Sequence, residues 1–393
     1  MGASILQMDV GKAAKQLLLR DPGPEPKHYP NFDLLRLVSA ASVVTMHCHN
    51  SIANGHHGGV FWGGLFFAVP LFLALSGFLV LKSFTETPSW PRFAWKRLCR
   101  VIPAWLASFV LVALISGFAA CLGCLKVWAT LGLTLGYGGS SVNGPLWSLG
   151  WEELFYAGLA VLYLAGAYQK PVAIWLLAGV STFVCWQTID NIHELHRVAM
   201  CALPSSFFLG NLVYIYCAQL RRLRPALALG LLVGAVIANY YRGYDQADQF
   251  ILQHALLLAA LLASIAGPTL LAFAIPDISY GIYVYHAPIV NLLVNEGKAT
   301  QWALLSSTAL AVLPLAIASW FLLEKPALKL KNARFRWPRI GHKCHRGLPS
   351  TRHRGPGPRS AVLLGRVLAS DPCRICSRRV ITRTQTRDRK SVV

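Results

Sequence analysis

The chain has 393 residues, of which 55% are hydrophobic and only 13% charged, with a mean hydropathy of +0.47. That balance excludes a soluble protein of this size and marks a multi-pass membrane protein. Lys and Arg outnumber Asp and Glu by 37 to 16, but about half of the basic residues lie between Lys329 and Lys390, so the excess is a local tail rather than a specific nucleic-acid surface.

Residues 1–30 lack the n-region, h-region and cleavage pattern of a removable signal, so the first span itself is expected to direct insertion. Apolar stretches long enough to cross a bilayer follow at roughly 34–52, 60–82, 102–120, 151–168, 172–188, 199–219, 225–241, 250–267, 278–295 and 302–323. The expectation is an all-α polytopic protein of about ten transmembrane helices. Val127 to Leu135 is too short to span and reads as a re-entrant or interfacial segment. Lys and Arg are plentiful before the first span and in the second and sixth connections, and nearly absent from the odd ones, which predicts cytoplasmic N- and C-termini. The eighth connection, Gly267 to Asp277, departs from this rule because it carries no basic residue.

The first span holds two ionisable residues, Arg36 and His47, in the run LLRLVSAASVVTMH. Such groups are costly in hydrocarbon and mark function by default. At ~1.5 Å and ~100° per residue, eleven steps are three turns with about 20° left over, so both lie on one face roughly 16 Å apart. This suits an anion held at one end and a proton moved at the other. The same residues also fit a snorkelling Arg and a His hydrogen-bonded between helices. Asp33, three residues before Arg36, is expected to pair with it.

In the second span, Ser76 and Gly77 provide a small surface for helix packing. FAWKRLCRVIPAW then places Arg97 and Arg100 one turn apart, either as a phosphate clamp or as an ordinary positive-inside anchor. Cys121 and Cys124 form a CxxC without accompanying ligands, so a loop disulfide is preferred there to a metal site, and no metal is expected.

NGPLWSLGWEELFY, Asn143 to Tyr156, brings Glu152 and Glu153 into a span beside Trp147 and Trp151. The paired carboxylates fit a proton relay or acceptor positioning, and one of them also fits simple helix capping. By the charge topology they lie on the far side of the membrane from the arginines. The ninth span, ISYGIYVYHAPIV, sets Tyr283 and His286 one turn apart, a polar cavity or plain interhelical contact. From about Asn332 the tail mixes Arg, Pro, Gly and Ser without period, and residues 328–393 read as a disordered cytoplasmic tail.

These motifs, together with LEKP at Leu323 to Pro326, resemble in order the acyltransferase 3 family of integral membrane acyltransferases, over roughly residues 31 to 327. Gly150, Trp151 and Leu154 depart from the family's more usual Ser, Val and Gln. The resemblance implies ten core helices and transfer of acetyl or another short acyl group to hydroxyls of carbohydrates such as surface polysaccharide, lipopolysaccharide or oligosaccharide, at the bacterial inner membrane. It places the family's Arg and His on Arg36 and His47, its paired arginines on Arg97 and Arg100, and its WSLxxEExFY element on Trp147, Ser148, Glu152, Glu153, Phe155 and Tyr156.

The expected donor is acetyl-CoA or another acyl-CoA, a substrate rather than a bound cofactor. Its phosphates would meet Arg36, Arg97 and Arg100, and His47 would act as base. Ser148, Trp147, Tyr283 and His286 are candidates for substrate contacts or oxyanion donation, as are backbone amides near Gly77. The alternative is a carrier or flippase for a carbohydrate or anionic solute, disfavoured by the lack of an internal repeat. The acceptor, the acyl chain length, the choice between direct transfer and a covalent intermediate, and the oligomeric state stay open.

Overall fold

A computed structural model describes residues 18–21, 23–52, 67–131, 142–189, 195–241, 246–270, 276–295 and 300–330. The expectations for the tail fall outside these residues. Among the described residues the chain is helical, apart from an antiparallel bridge between Leu19 and Leu223. The helices are α1 Pro30–Ile52, α2 Ala68–Glu86, α3 Trp90–Ser116, α4 Phe118–Ala129, α5 Trp147–Leu164, α6 Pro171–Ile189, α7 Leu195–Ile215, α8 Pro225–Tyr241, α9 Gln246–Ala266, α10 Ser279–Asn295 and α11 Gln301–Ser319.

A helix overlies each of the ten expected apolar stretches. Among the described residues, three helices are long and apolar enough to cross a membrane by length and composition: Ala68–Glu86, Trp90–Ser116 and the continuous run Gln301–Leu330. Proline marks several starts, at Pro30, Pro171 and Pro225, where a missing N–H costs nothing. Gly117, with φ of +81°, separates α3 from α4. The helix α4, from Phe118, carries both CxxC cysteines and ends within the half-length segment expected at Val127 to Leu135, whose residues from 132 onward lie outside the described ones. Cys121 and Cys124 remain thiols, and Cys121 donates to the Phe109 carbonyl (3.2 Å), so the expected disulfide is not formed.

Small residues set the closest crossing, between α2 and α7. A Cβ on Gly77 would lie 2.1 Å from the Phe207 carbonyl oxygen, and one on Gly210 would lie 1.9 Å from that of Ala74. The Ser76–Gly77 surface is thus a packing surface on its glycine side, as expected. α1 and α10 pack together, with Ala40, Val44, Ile282 and Val290 buried in one apolar cluster. α5 begins inside the protein: a 3-10 turn, Gly144–Leu146, leads into it, and Asn143 Nδ2 donates to the Val284 carbonyl in the second turn of α10 (2.9 Å). After α11 the chain makes a π-helical turn, Trp320–Glu324, which carries Glu324 into full burial. Such turns are frequent at functional sites.

Candidate functional site

α1, α2, α3, α5 and α10 enclose a cavity of about 70 Å³, room for several water molecules. Its apolar wall is Val69, Phe72, Leu73, Val101 and Leu149. Its polar wall is Arg36, Ser76, Arg97, Arg100, Ser148, Glu152, Tyr156, Ser279, Tyr280 and Tyr283. Six residues proposed from the sequence thus meet in one place: Arg36, Arg97, Arg100, Ser148, Glu152 and Tyr283.

The charges are organised around a carboxylate that sequence reasoning missed. Asp277, just before α10, accepts from Arg100 Nη2 at 2.5 Å and from Arg36 Nη1 at 3.3 Å through the same oxygen, while Ser279 Oγ donates to its other oxygen at 2.8 Å. Burial pushes the Asp277 carboxyl up, but Arg100 and Arg36 outweigh it and hold the group below the usual carboxylate range. Asp33 does not pair with Arg36 as expected. It takes His28 Nε2 at 2.9 Å, because Asp277 is the carboxylate placed to neutralise two guanidiniums at once. The signal for Asp277 was its position as the one charge in a connection without Lys or Arg.

Arg97 and Arg100 share a helix face yet have different surroundings. Arg100 lies over the rings of Tyr280 and Trp320 and has Glu324 Oε2 at 4.0 Å as a second counter-ion. The π-helical turn sets that distance. Arg97 stacks over Phe93 and Tyr156 (5.6 and 5.4 Å), its Nε has no hydrogen-bond partner, and it makes no ion pair among the described residues. Arg97 therefore has donors to spare, and Arg100 is already engaged.

Glu152 accepts hydrogen bonds from Ser76 and from Tyr156. Placing Glu152 across the membrane from the arginines is corrected by the structure, since it lines the same cavity. The reason is the interior start of α5, which carries its second turn to the level of Arg97. Glu153 and Trp147, half-buried, do not line the cavity.

The end of the cavity is closed by Tyr283 and Ser148, whose hydroxyl oxygens are 2.5 Å apart and both within reach of the Pro145 carbonyl (3.0 and 3.2 Å). His47 is not in the cavity wall. Its ring instead meets that of His286 edge-on, with centroids 5.0 Å apart, and the His286 ring lies 6.0 Å from that of Tyr283. His286 is fully buried, with Nδ1 2.8 Å from the Tyr283 carbonyl oxygen and Nε2 without a hydrogen-bond partner.

Arginines and hydroxyls on one cavity, with a histidine pair beside its end wall, offer an anion site next to a proton acceptor. Comparison with known proteins points to an acyl-transfer enzyme. The model of the acyltransferase 3 family, described as an acyltransferase domain, matches residues 29–324. Nodulation protein 10 of Rhizobium leguminosarum bv. viciae is 28% identical over 78% of this chain and 95% of its own length. An O-acetyl transferase of Shigella phage Sf6 is 26% identical over 75% of this chain and 94% of its own. No solved structure matches significantly. The protein is thus an integral membrane O-acyltransferase and belongs to the acyltransferase 3 family.

Proposed function

We propose that the protein is a ten-span enzyme of the bacterial inner membrane, with cytoplasmic termini, that moves an acetyl or other short acyl group from acyl-CoA to a hydroxyl of a surface or lipid-linked carbohydrate. The observation that carries this reading is the convergence of Arg36, Arg97 and Arg100 on a cavity whose far wall holds Tyr283 and Ser148. Three guanidiniums suit a donor with a polyphosphate end. Arg97, with its unsatisfied Nε, is the first contact. Glu152 supports it indirectly by bonding Tyr156, the ring on which Arg97 lies.

Arg36 and His47 are roughly 16 Å apart along α1, a span suited to the arm that joins donor phosphates to a thioester. His47 removes the proton of the acceptor hydroxyl as its oxygen attacks the thioester carbonyl. The C–S bond breaks, and the departing thiolate takes that proton. A positioned base of this kind contributes ~10²- to 10⁴-fold. Tyr283 or Ser148 donates to the carbonyl oxygen as it gains negative charge.

The test is transfer of label from radiolabelled acetyl-CoA to envelope carbohydrate by membranes containing wild-type protein or His47→Ala at matched levels. Label is expected with wild type and a fall of at least about 100-fold in the variant. No label with wild type across a panel of acceptors would shift the reading to a carrier.

A further inference from the structure

We infer that His47 works as half of a histidine pair, in which His286 fixes which nitrogen of His47 carries the proton; the inference rests on the acyl-transfer reading above. A carbonyl oxygen only accepts hydrogen bonds. The 2.8 Å contact of His286 Nδ1 with the Tyr283 carbonyl therefore places the imidazole hydrogen on Nδ1. Nε2 is left with a bare lone pair, in a side chain with no exposed surface and with no hydrogen-bond partner at that atom. A buried acceptor without a donor is unfavourable and rare.

The ring beside it is that of His47, 5.0 Å away between centroids. Two imidazoles joined by an N–H···N bond of ordinary length have centroids about 5 Å apart. A rotation of the half-buried His47 ring, with no change in ring separation, converts the edge-on contact into that bond. His47 then donates from one nitrogen to His286 Nε2 and presents its other nitrogen, unprotonated, as the base. Tyr283 ties this arrangement to the cavity. Its hydroxyl meets Ser148 in the end wall, and its carbonyl holds His286, so one turn of α10 sets both the oxyanion donors and the tautomer of the base.

His286 is accordingly a positioning residue. In the step that it serves, the acceptor O–H bond breaks toward the bare nitrogen of His47, a C–O bond to the acyl carbon forms, the C–S bond breaks, and the proton passes from His47 to the sulfur. His286 neither gains nor loses a proton.

The experiment compares His286→Gln, whose amide oxygen replaces the Nε2 acceptor, with His286→Leu, which removes it. In membranes with matched protein, kcat in His286→Leu is expected to fall about 100-fold, with the donor KM within about twofold, while His286→Gln keeps at least about a tenth of the rate. Equal activity of the two variants, or a loss confined to KM, would overturn the inference. A second measurement needs no substrate: nitrogen NMR of histidine-labelled protein, with His47 assigned by its loss in His47→Ala. One tautomer of His47 is expected in wild type and His286→Gln, and a mixture in His286→Leu. A His47 signal identical in all three would refute the pair. Absence of wild-type transfer would defeat the acyl-transfer reading, and the nitrogen spectra would still decide the pairing.

Discussion

α2 and α10, beside the cavity, and α6 and α8 are all strongly apolar helices, but they are used in opposite ways. α2 buries most of its length, including Leu71, Leu75, Phe78 and Phe84, and α10 buries Tyr283, Tyr285 and His286. α6 leaves Val172, Leu176, Val180 and Phe183 exposed, and α8 exposes Leu231, Val233 and Val236 while burying Ala228. In water such exposure would mark a docking face, whereas in a membrane protein it is the expected lipid side. Hydropathy alone therefore does not separate the inside of this protein from its outside. Polar residues do, because in a medium without water each must find a partner within the protein.

The contrast is most sharply broken at Arg100. Arg100→Leu removes the cation that Asp277 and Glu324 share, leaving Asp277 with Arg36 alone and the buried Glu324 without its ion-pair partner, with an expected loss of about 3 kcal/mol in thermal unfolding of the purified protein. Leu176→Ala, on the exposed face of α6, is expected to stay within about 0.5 kcal/mol. Equal effects would mean that the ion network does not organise the core.

Glycine substitutions sharpen the same comparison on a smaller scale. Gly210→Ala drives a methyl group into the Ala74 carbonyl and should cost about 1–3 kcal/mol. Gly234→Ala, with nothing within 4 Å, should be neutral or gain about 0.5 kcal/mol through helix propensity. Both are read from melting temperatures under one detergent condition.

The smallest effect is the acid dependence carried by Asp277. Its carboxyl is held below the ordinary value of 3.8 in the folded protein. Its contribution is therefore fully present above that value and lost as the pH falls through the lower, folded one. Asp277→Asn should remove this part of the acid sensitivity, seen as a flatter plot of melting temperature against pH below about 4.

The helices were legible in the sequence because apolar length and proline or glycine punctuation are local signals. So was the pairing of Arg36 and His47 on one face of α1, which follows from helical periodicity. The partner of Arg36 was not. The sequence offered Asp33, a neighbour within one turn, and the actual counter-ion lies 241 residues away. Arg97 and Arg100 read as an equivalent pair and both lie over two aromatic rings, but three residues of rise, ~4.5 Å, give Arg100 two carboxylates and Arg97 no ion pair among the described residues. Counting charges in the connections put Glu152 opposite the arginines, because that counting assumes that each helix starts at a membrane surface. α5 starts against the second turn of α10 instead.

Composition, apolar periodicity and the ordered motifs were enough to determine an all-helical membrane acyltransferase and to pick out Arg36, His47, Arg97, Arg100 and Glu152. Only the tertiary structure decided that Asp277 and Glu324 balance the arginines, that Glu152 shares their cavity, and that His47 stands against His286. Helical periodicity fixes which residues share a face of one helix. Neutralising a buried charge depends on distance in space, and the chain supplies the counter-charge from whichever helix end folds closest.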